Sequence, residues 1–545
     1  MYLDFGGALA AIGLVFAVYQ LRQPSWDVVL ALRPRWQRDL FLILAASGFV
    51  FTLLAVMFEK MRPCWQPHWL VESFPYQMLA YVAFAASPTS LWLFATWQRG
   101  LFSERNAKRF YTVLAWRAAM SAERSAVLQV LLMNFHVICR FAVDSKPSKS
   151  RAYARAVLDV ILSDEEIVRE LTTKQLAGLQ HVFGCANEYG LSQLISPTGI
   201  PALVRGLFTD PQSFLYKQYR ADGLAQAMNI YETIFGSSTL LKNFELFNYP
   251  SIDYSSRDVV GSRGLDVFIE ALKRSITTYL ATGRVPADHV KDGIKYLSDV
   301  FGDHCLKASL DRKHEEAHPR TPAWDAISRI THFFGHDYGF ILDPKDWNEG
   351  VRRFEFATTK ASFLPQYSIS AGVAEAICTA LSQLACIDKN TDIMWSYTTV
   401  VDLLHGLMYQ RETSDAYRTA FDEAIWQKIY ENVVRRFYPA RLRVYLEFIG
   451  FLLVFKDTRH DIWAEEQRER MRRLLYVDLK PLFEQGKKMI NDEAMESALL
   501  PKVMRYAGGK FYYTARYGEG EEAEIEEPPA GSTSALEGVK DQYRQ

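Results

Sequence analysis

Three stretches near the start of the chain carry no charged side chain: Phe5 to Leu21, Leu40 to Phe58 and Tyr76 to Gln98. Each is about 20 residues long, the length a helix needs to cross roughly 30 Å of hydrocarbon. In water, exposed helices of this kind would drive aggregation. In a bilayer they satisfy every backbone polar group internally. The sequence therefore predicts a three-span membrane anchor over residues 1–100. Pro88 lies inside the third stretch and predicts a kink there. The leader MYLD has no Lys or Arg, unlike the basic start of a secretory signal, so the first stretch reads as a retained anchor.

Lys and Arg placement orients these spans. Arg22, Arg33, Arg35 and Arg38 follow the first, and Arg99, Arg105, Lys108 and Arg109 follow the third. Only Lys60 and Arg62 lie between the second and third. The expectation is a plasma- or inner-membrane protein with its N-terminus outside and everything after residue 98 cytoplasmic. Trp65 and Trp69 sit in the outer loop, where aromatic residues favour the interface. No ionisable residue lies within a span, which argues against a proton relay or ion transporter. Gly6 with Ala10, and Gly13 with Ala17, place small residues one turn apart. That pattern lets membrane helices approach closely, so packing between copies of the chain, a homo-oligomer, is expected there.

After residue 100 the apolar period is helical. Leu265, Phe268, Ile269, Leu272, Ile276, Tyr279 and Leu280 recur at three- and four-residue steps along one face. Ser163 followed by Glu166 reads as a capping box that opens a helix near Asp164. The fold class is thus mainly α: three membrane helices, then a large all-helical cytoplasmic region, of which an irregular α-solenoid is one arrangement. The turn-rich stretch around residue 310 suggests helical domains over 101–310 and 311–515. The segment 516–545 is rich in Glu and small polar residues, so it is expected to be an acidic, disordered tail. VYLEFIGFLLVF, 444–455, is short, contains Glu447 and reads as a buried helix.

Composition narrows the functional classes. A net charge of −1 argues against nucleic acid as a partner. Six dispersed cysteines without a Cys-x-x-Cys pair fit buried thiols in a reducing compartment.

His314, Glu315 and His318 have the His-Glu-x-x-His spacing with which a helix holds zinc and aims a general base. Their neighbours Asp311, Arg312, Lys313 and Glu316 are polar nearly all round, and Pro319 turns His318 away from helical geometry. A solvated loop is the reading preferred here. His332 and His336 form a second pair one turn apart, but Gly335 between them is expected to end that helix. GGKFYY, 508–513, lacks the upstream glycine and the Ser or Thr of a phosphate loop. His136 and Cys139 lie in an apolar run and read as packing residues. No catalytic residue, metal or other cofactor is therefore expected. The preferred function is non-enzymatic: a membrane-tethered recognition, sensor or effector module whose partners are the bilayer and a cytoplasmic protein or ligand. The rival is a membrane-bound zinc metallohydrolase built on the His-Glu-Glu-Ala-His segment.

Overall fold

The computed structural model describes residues 13, 24–60, 73–97, 100–144, 148–189, 199–220, 229–243, 246–247, 262–283, 287–311, 322–337, 348–349, 351, 369–384, 415–431, 446, 462–486, 500, 504–514 and 522–537. They are mainly helical and fall into two compact units, Met1–Phe214 and Leu215–Gln545.

The first unit begins with a short helix α1, Pro24–Leu32, then two long apolar helices, α2, Arg35–Lys60, and α3, Ser73–Thr96. The last two form an antiparallel hairpin. Near one end the Trp36 ring meets Phe94 edge-on, at 6.4 Å between centroids. Further along, the Ser87 hydroxyl donates to the Phe41 carbonyl at 2.7 Å, a buried polar tie beside Pro88. Gly48 then lets the Phe84 ring approach so closely that a β-carbon there would stand 3.0 Å from it. Leu42, Ile43, Val50, Leu53, Val82 and Leu93 remain exposed on the outside of the hairpin.

Three described helices are long and apolar enough to cross a membrane: Asp39–Met57, Pro75–Thr96 and Arg124–Val143. The first two coincide with the second and third stretches of the sequence reading. Phe5–Leu21 lies outside the described residues apart from Gly13. The third helix, α5, Arg124–Val143, follows α4, Ala107–Ala118. Its apolar window is 56% buried within the protein, against 17% and 33% for the hairpin helices. Protein, not lipid, covers most of it: α5 packs against α1, α4, α6 (Lys149–Leu162), α7 (Glu165–Thr173) and α8 (Leu176–Tyr189). It is the core helix of this unit.

The start of α7 departs from the expected capping box. Asp164 is the N-cap, its carboxylate accepting from the Glu166 and Ile167 amides at 3.1 and 3.0 Å. Ser163 closes the preceding helix instead, with its hydroxyl committed to the Asp159 carbonyl. Asp164→Ala should therefore cost about 1 kcal/mol in a denaturant titration, whereas Ser163→Ala should stay within about 0.5 kcal/mol.

A joint ties the hairpin to this core. The last carbonyls of α1 have no intrahelical partner. Asn106 Nδ2 donates to Leu32 O at 3.2 Å, and Arg109 Nε donates to Ala31 O at 3.0 Å. The Arg33 guanidinium donates to the Trp97 carbonyl just beyond α3. Leu101 N then donates to the buried Oδ1 of Asn134 on α5, at 2.9 Å.

In the second unit the expected apolar face is buried along α10, Ser262–Thr282, which packs on the short helix α9, Ile230–Phe235. Helix α11, Ala287–Asp311, packs on both α12, Pro322–His332, and α13, Ile369–Leu384, and α13 packs on α14, Asp415–Tyr430. The helices flanking residue 310 thus share one unit, and the division between compact units falls at 214/215. Residues 444–455 lie outside the described residues except Leu446.

The expected all-helical ending and disordered tail are both corrected. After α15, Ile462–Arg473, a π-helical turn at Leu474–Leu479 and α16, Lys480–Gly486, comes an antiparallel sheet of order β1-β2-β3: Met504–Ala507, Lys510–Thr514 and Glu522–Glu524. Gly508 and Gly509 have φ of +61° and +82°, the left-handed pair that a tight hairpin turn requires. GGKFYY is that turn and the strand after it.

The acidic tail supplies β3 and continues to residue 537. Ile525, Ala535 and Leu536 are buried. The Tyr476 hydroxyl donates to Ile525 O at 2.6 Å, and Asp478 accepts from the Ser534 hydroxyl and the Ala535 amide at 2.5 and 3.0 Å. Lys510, Lys480 and Arg472 pair with Glu524, Glu527 and Glu526. Exposed pairs contribute little individually. Burial and the strand ladder hold the tail, and the basic partners remove the repulsion that its composition implies.

Candidate functional site

In the first unit, α5 and α8 run side by side in the same direction. Close approach begins at Gly178, where a β-carbon would collide with Leu132 Cδ1. One turn on, the rings of Phe135 and His181 meet at 6.1 Å. Next in the same register come Cys139 and Cys185, both buried. Spacing on each helix does the rest, because residues three or four apart share a face. Cys185 Sγ lies 3.8 Å from His181 Nε2. At the rim His136 Nε2 meets the Tyr189 hydroxyl at 2.8 Å and Glu188 Oε1 at 3.4 Å. Two buried thiols thus lie under an exposed collar of two imidazoles, a carboxylate and a phenol.

The electrostatics distinguish members of this cluster. The hydrogen bond from Cys139 holds the Cys185 thiol below its usual value, against opposing contributions from burial and from Glu188. Partial burial, reinforced by His136, holds His181 below the ordinary imidazole value, with Glu188 opposing. A neutral imidazole therefore sits beside the more acidic thiol of the pair. Cys139 packs as expected from its apolar run, but His136 is exposed and joins the collar. Cys185, His181, Glu188 and Tyr189 carried no signal of their own in the sequence reading.

No family model, no curated protein and no solved structure matches the chain. Chemistry must therefore be read from side chains alone.

The expected metal candidates fare as follows. His314, Glu315 and His318 lie outside the described residues. The helix carrying His332 does not stop at Gly335 but passes into a π-helical turn, Phe333–Asp337. His332 Nε2 is 3.8 Å from Asp337 Oδ1, and Asp337 also pairs with Lys273 at 3.5 Å. His336 has its backbone in that turn. Among the described residues no three His, Cys, Asp or Glu side chains converge to hold a metal ion. Gly6, Ala10 and Ala17 lie outside the described residues. Gly13 is helical, with open space where a β-carbon would be.

The second unit has a cleft of about 390 Å³ between α11 and α13, lined by Lys291, Lys295, Ser298, Asp299, Gly372 and Glu375. With Asp292 also in the lining, three carboxylates face two lysines there. Burial raises the Asp299 carboxyl above its ordinary value, opposed by Lys295.

Proposed function

We propose that this chain is an integral membrane protein whose helical body is a non-catalytic recognition or effector module on the cytoplasmic side. The observation that carries the reading is the joint between α1, the end of α3 and the start of α4. A helical hairpin with its outer face in lipid returns both ends to one side of the bilayer. The Arg33, Asn106 and Arg109 bonds hold α1 at that same end. Exposed Trp36, Trp92 and Trp97 mark this end, as residues of an interfacial belt do. Arg33, Arg35, Arg105, Lys108 and Arg109 gather there too, whereas the connection at the far end contains only Lys60 and Arg62. That imbalance supports a cytoplasmic side for the joint. Phe5–Leu21 would then be a third crossing, leaving the N-terminus outside. Gly6, Ala10, Gly13 and Ala17 would offer its close-packing face to another copy of the chain.

Reaction with a membrane-impermeant thiol reagent tests the sidedness. In intact cells Cys64 should be labelled, while a Lys108→Cys substitution should be labelled only after permeabilisation. The opposite pattern would invert the topology. For the body, elemental analysis of the purified chain should find zinc well below one equivalent. Stoichiometric zinc that disappears in His314→Ala would favour a metallohydrolase instead.

A further inference from the structure

The collar over Cys139 and Cys185 makes no contribution to a membrane anchor, and its members are arranged for thiol chemistry. The two cysteines come from different helices and lie buried in one packed interface, opposite each other in the register set by Leu132 against Gly178 and Phe135 against His181. One of them has an imidazole nitrogen 3.8 Å from its sulfur, and that imidazole reaches the surface. We propose that Cys139 and Cys185 are a modification site for hydroperoxides, closing to a reversible disulfide that locks α5 to α8.

The Cys185 thiol gives its proton to His181, and the thiolate attacks one peroxide oxygen. A sulfur–oxygen bond forms as the oxygen–oxygen bond breaks, and the departing oxyanion takes the proton from His181 to leave as water or an alcohol. Cys185 is now a sulfenic acid, oxidised by two electrons. Cys139 attacks that sulfur, the sulfur–sulfur bond forms, the sulfur–oxygen bond breaks, and water leaves with the Cys139 proton. A small thiol such as glutathione reverses the reaction by exchange through a mixed disulfide. The depressed Cys185 value favours the first proton transfer, whereas the depressed His181 value keeps that imidazole neutral and free to receive the proton but makes it the weaker base. Sequence position adds a consequence: the closed loop encloses α6 and α7, so oxidation staples most of the helical core of this unit.

The test uses the full chain in detergent, exposed to hydrogen peroxide, denatured with an alkylating agent and mapped by mass spectrometry. The Cys139 and Cys185 peptides should leave the alkylated pool and reappear as one linked peptide, two hydrogen masses lighter. Cys305 and Cys378 should stay alkylated, and dithiothreitol should restore the original map. Exposed Met133 serves as the internal dose gauge. Sulfoxide at Met133 with Cys139 and Cys185 still reduced would overturn the proposal. So would sulfinic acid at Cys185 without a link, or linkage of either residue to another cysteine. His181→Gln should slow closure roughly 10-fold at neutral pH and move its rate profile to higher pH. An unmoved profile would overturn the proton transfer to His181.

Discussion

Trp426→Ala should lower the stability of the second unit by about 3 to 5 kcal/mol. The side chain is fully buried on α14, and its indole N–H donates to Gln467 Oε1 at 2.8 Å. Over the ring, 4.3 Å from its centroid, lies the guanidinium of Arg470. Arg470 in turn donates to Asp422 at 3.1 Å and to the Ala535 carbonyl at 3.3 Å. The indole is thus the floor on which α15 and the C-terminal tail are set. Alanine leaves a large cavity, strands the buried Gln467 oxygen and frees Arg470 to leave its partners. Trp426→Phe keeps most of the apolar contact and loses the N–H, so about 1 to 2 kcal/mol is expected. Denaturant titration gives the totals, and amide exchange over 522–537 reports whether the tail detaches first. Equal losses in the two variants, with unchanged exchange in the tail, would show that the indole does not support it.

The parts of this fold legible in the sequence are those where one local pattern decides. Uninterrupted apolar runs mark α2 and α3, because no charge breaks them over the length of a span. The 3.6-residue period marks α10, since one face alone is buried. Helix α5 is equally apolar on average, yet His136 and Arg140 break its run, so it did not read as a span; the structure explains this by wrapping it in protein. The sheet is hard to read because its strands are short and its Gly-Gly-Lys run is shared with the end of a phosphate loop. The tail escaped because acidic composition alone predicts disorder, while Lys510, Lys480 and Arg472 are distant in sequence. The thiol cluster is the extreme case. His-x-x-Cys at 136–139 and His-x-x-x-Cys at 181–185 are each ordinary, and only the packing of α5 on α8 makes them one site.

Asn134→Ala should weaken the first unit by about 2 to 4 kcal/mol, with the loss concentrated at the joint beside the apolar hairpin. Asn134 is completely buried in the core helix α5. Its Nδ2 donates back to the Val130 carbonyl at 2.9 Å, which fixes the amide so that Oδ1 faces Leu101 N. Leu101 and Asn134 are both buried, so removing the acceptor leaves that amide proton unpaired at nearly its full desolvation cost. The consequence should spread along the chain of bonds described above. Leu101 O accepts from Asn106 at 3.0 Å, and Asn106 also binds the end of α1. Loosening Leu101 therefore loosens the clamp on Leu32. Amide exchange at Leu101 should accelerate by roughly 10- to 1,000-fold for such a loss, whereas the α10 amides of the second unit should keep their rates. Asn134→Leu, close in volume but without an acceptor, separates lost packing from the lost bond and should accelerate Leu101 nearly as much as alanine does. Normal exchange at Leu101 in the leucine variant would mean that packing alone holds the joint, and the hydrogen-bond chain from α5 to α1 would lose its role.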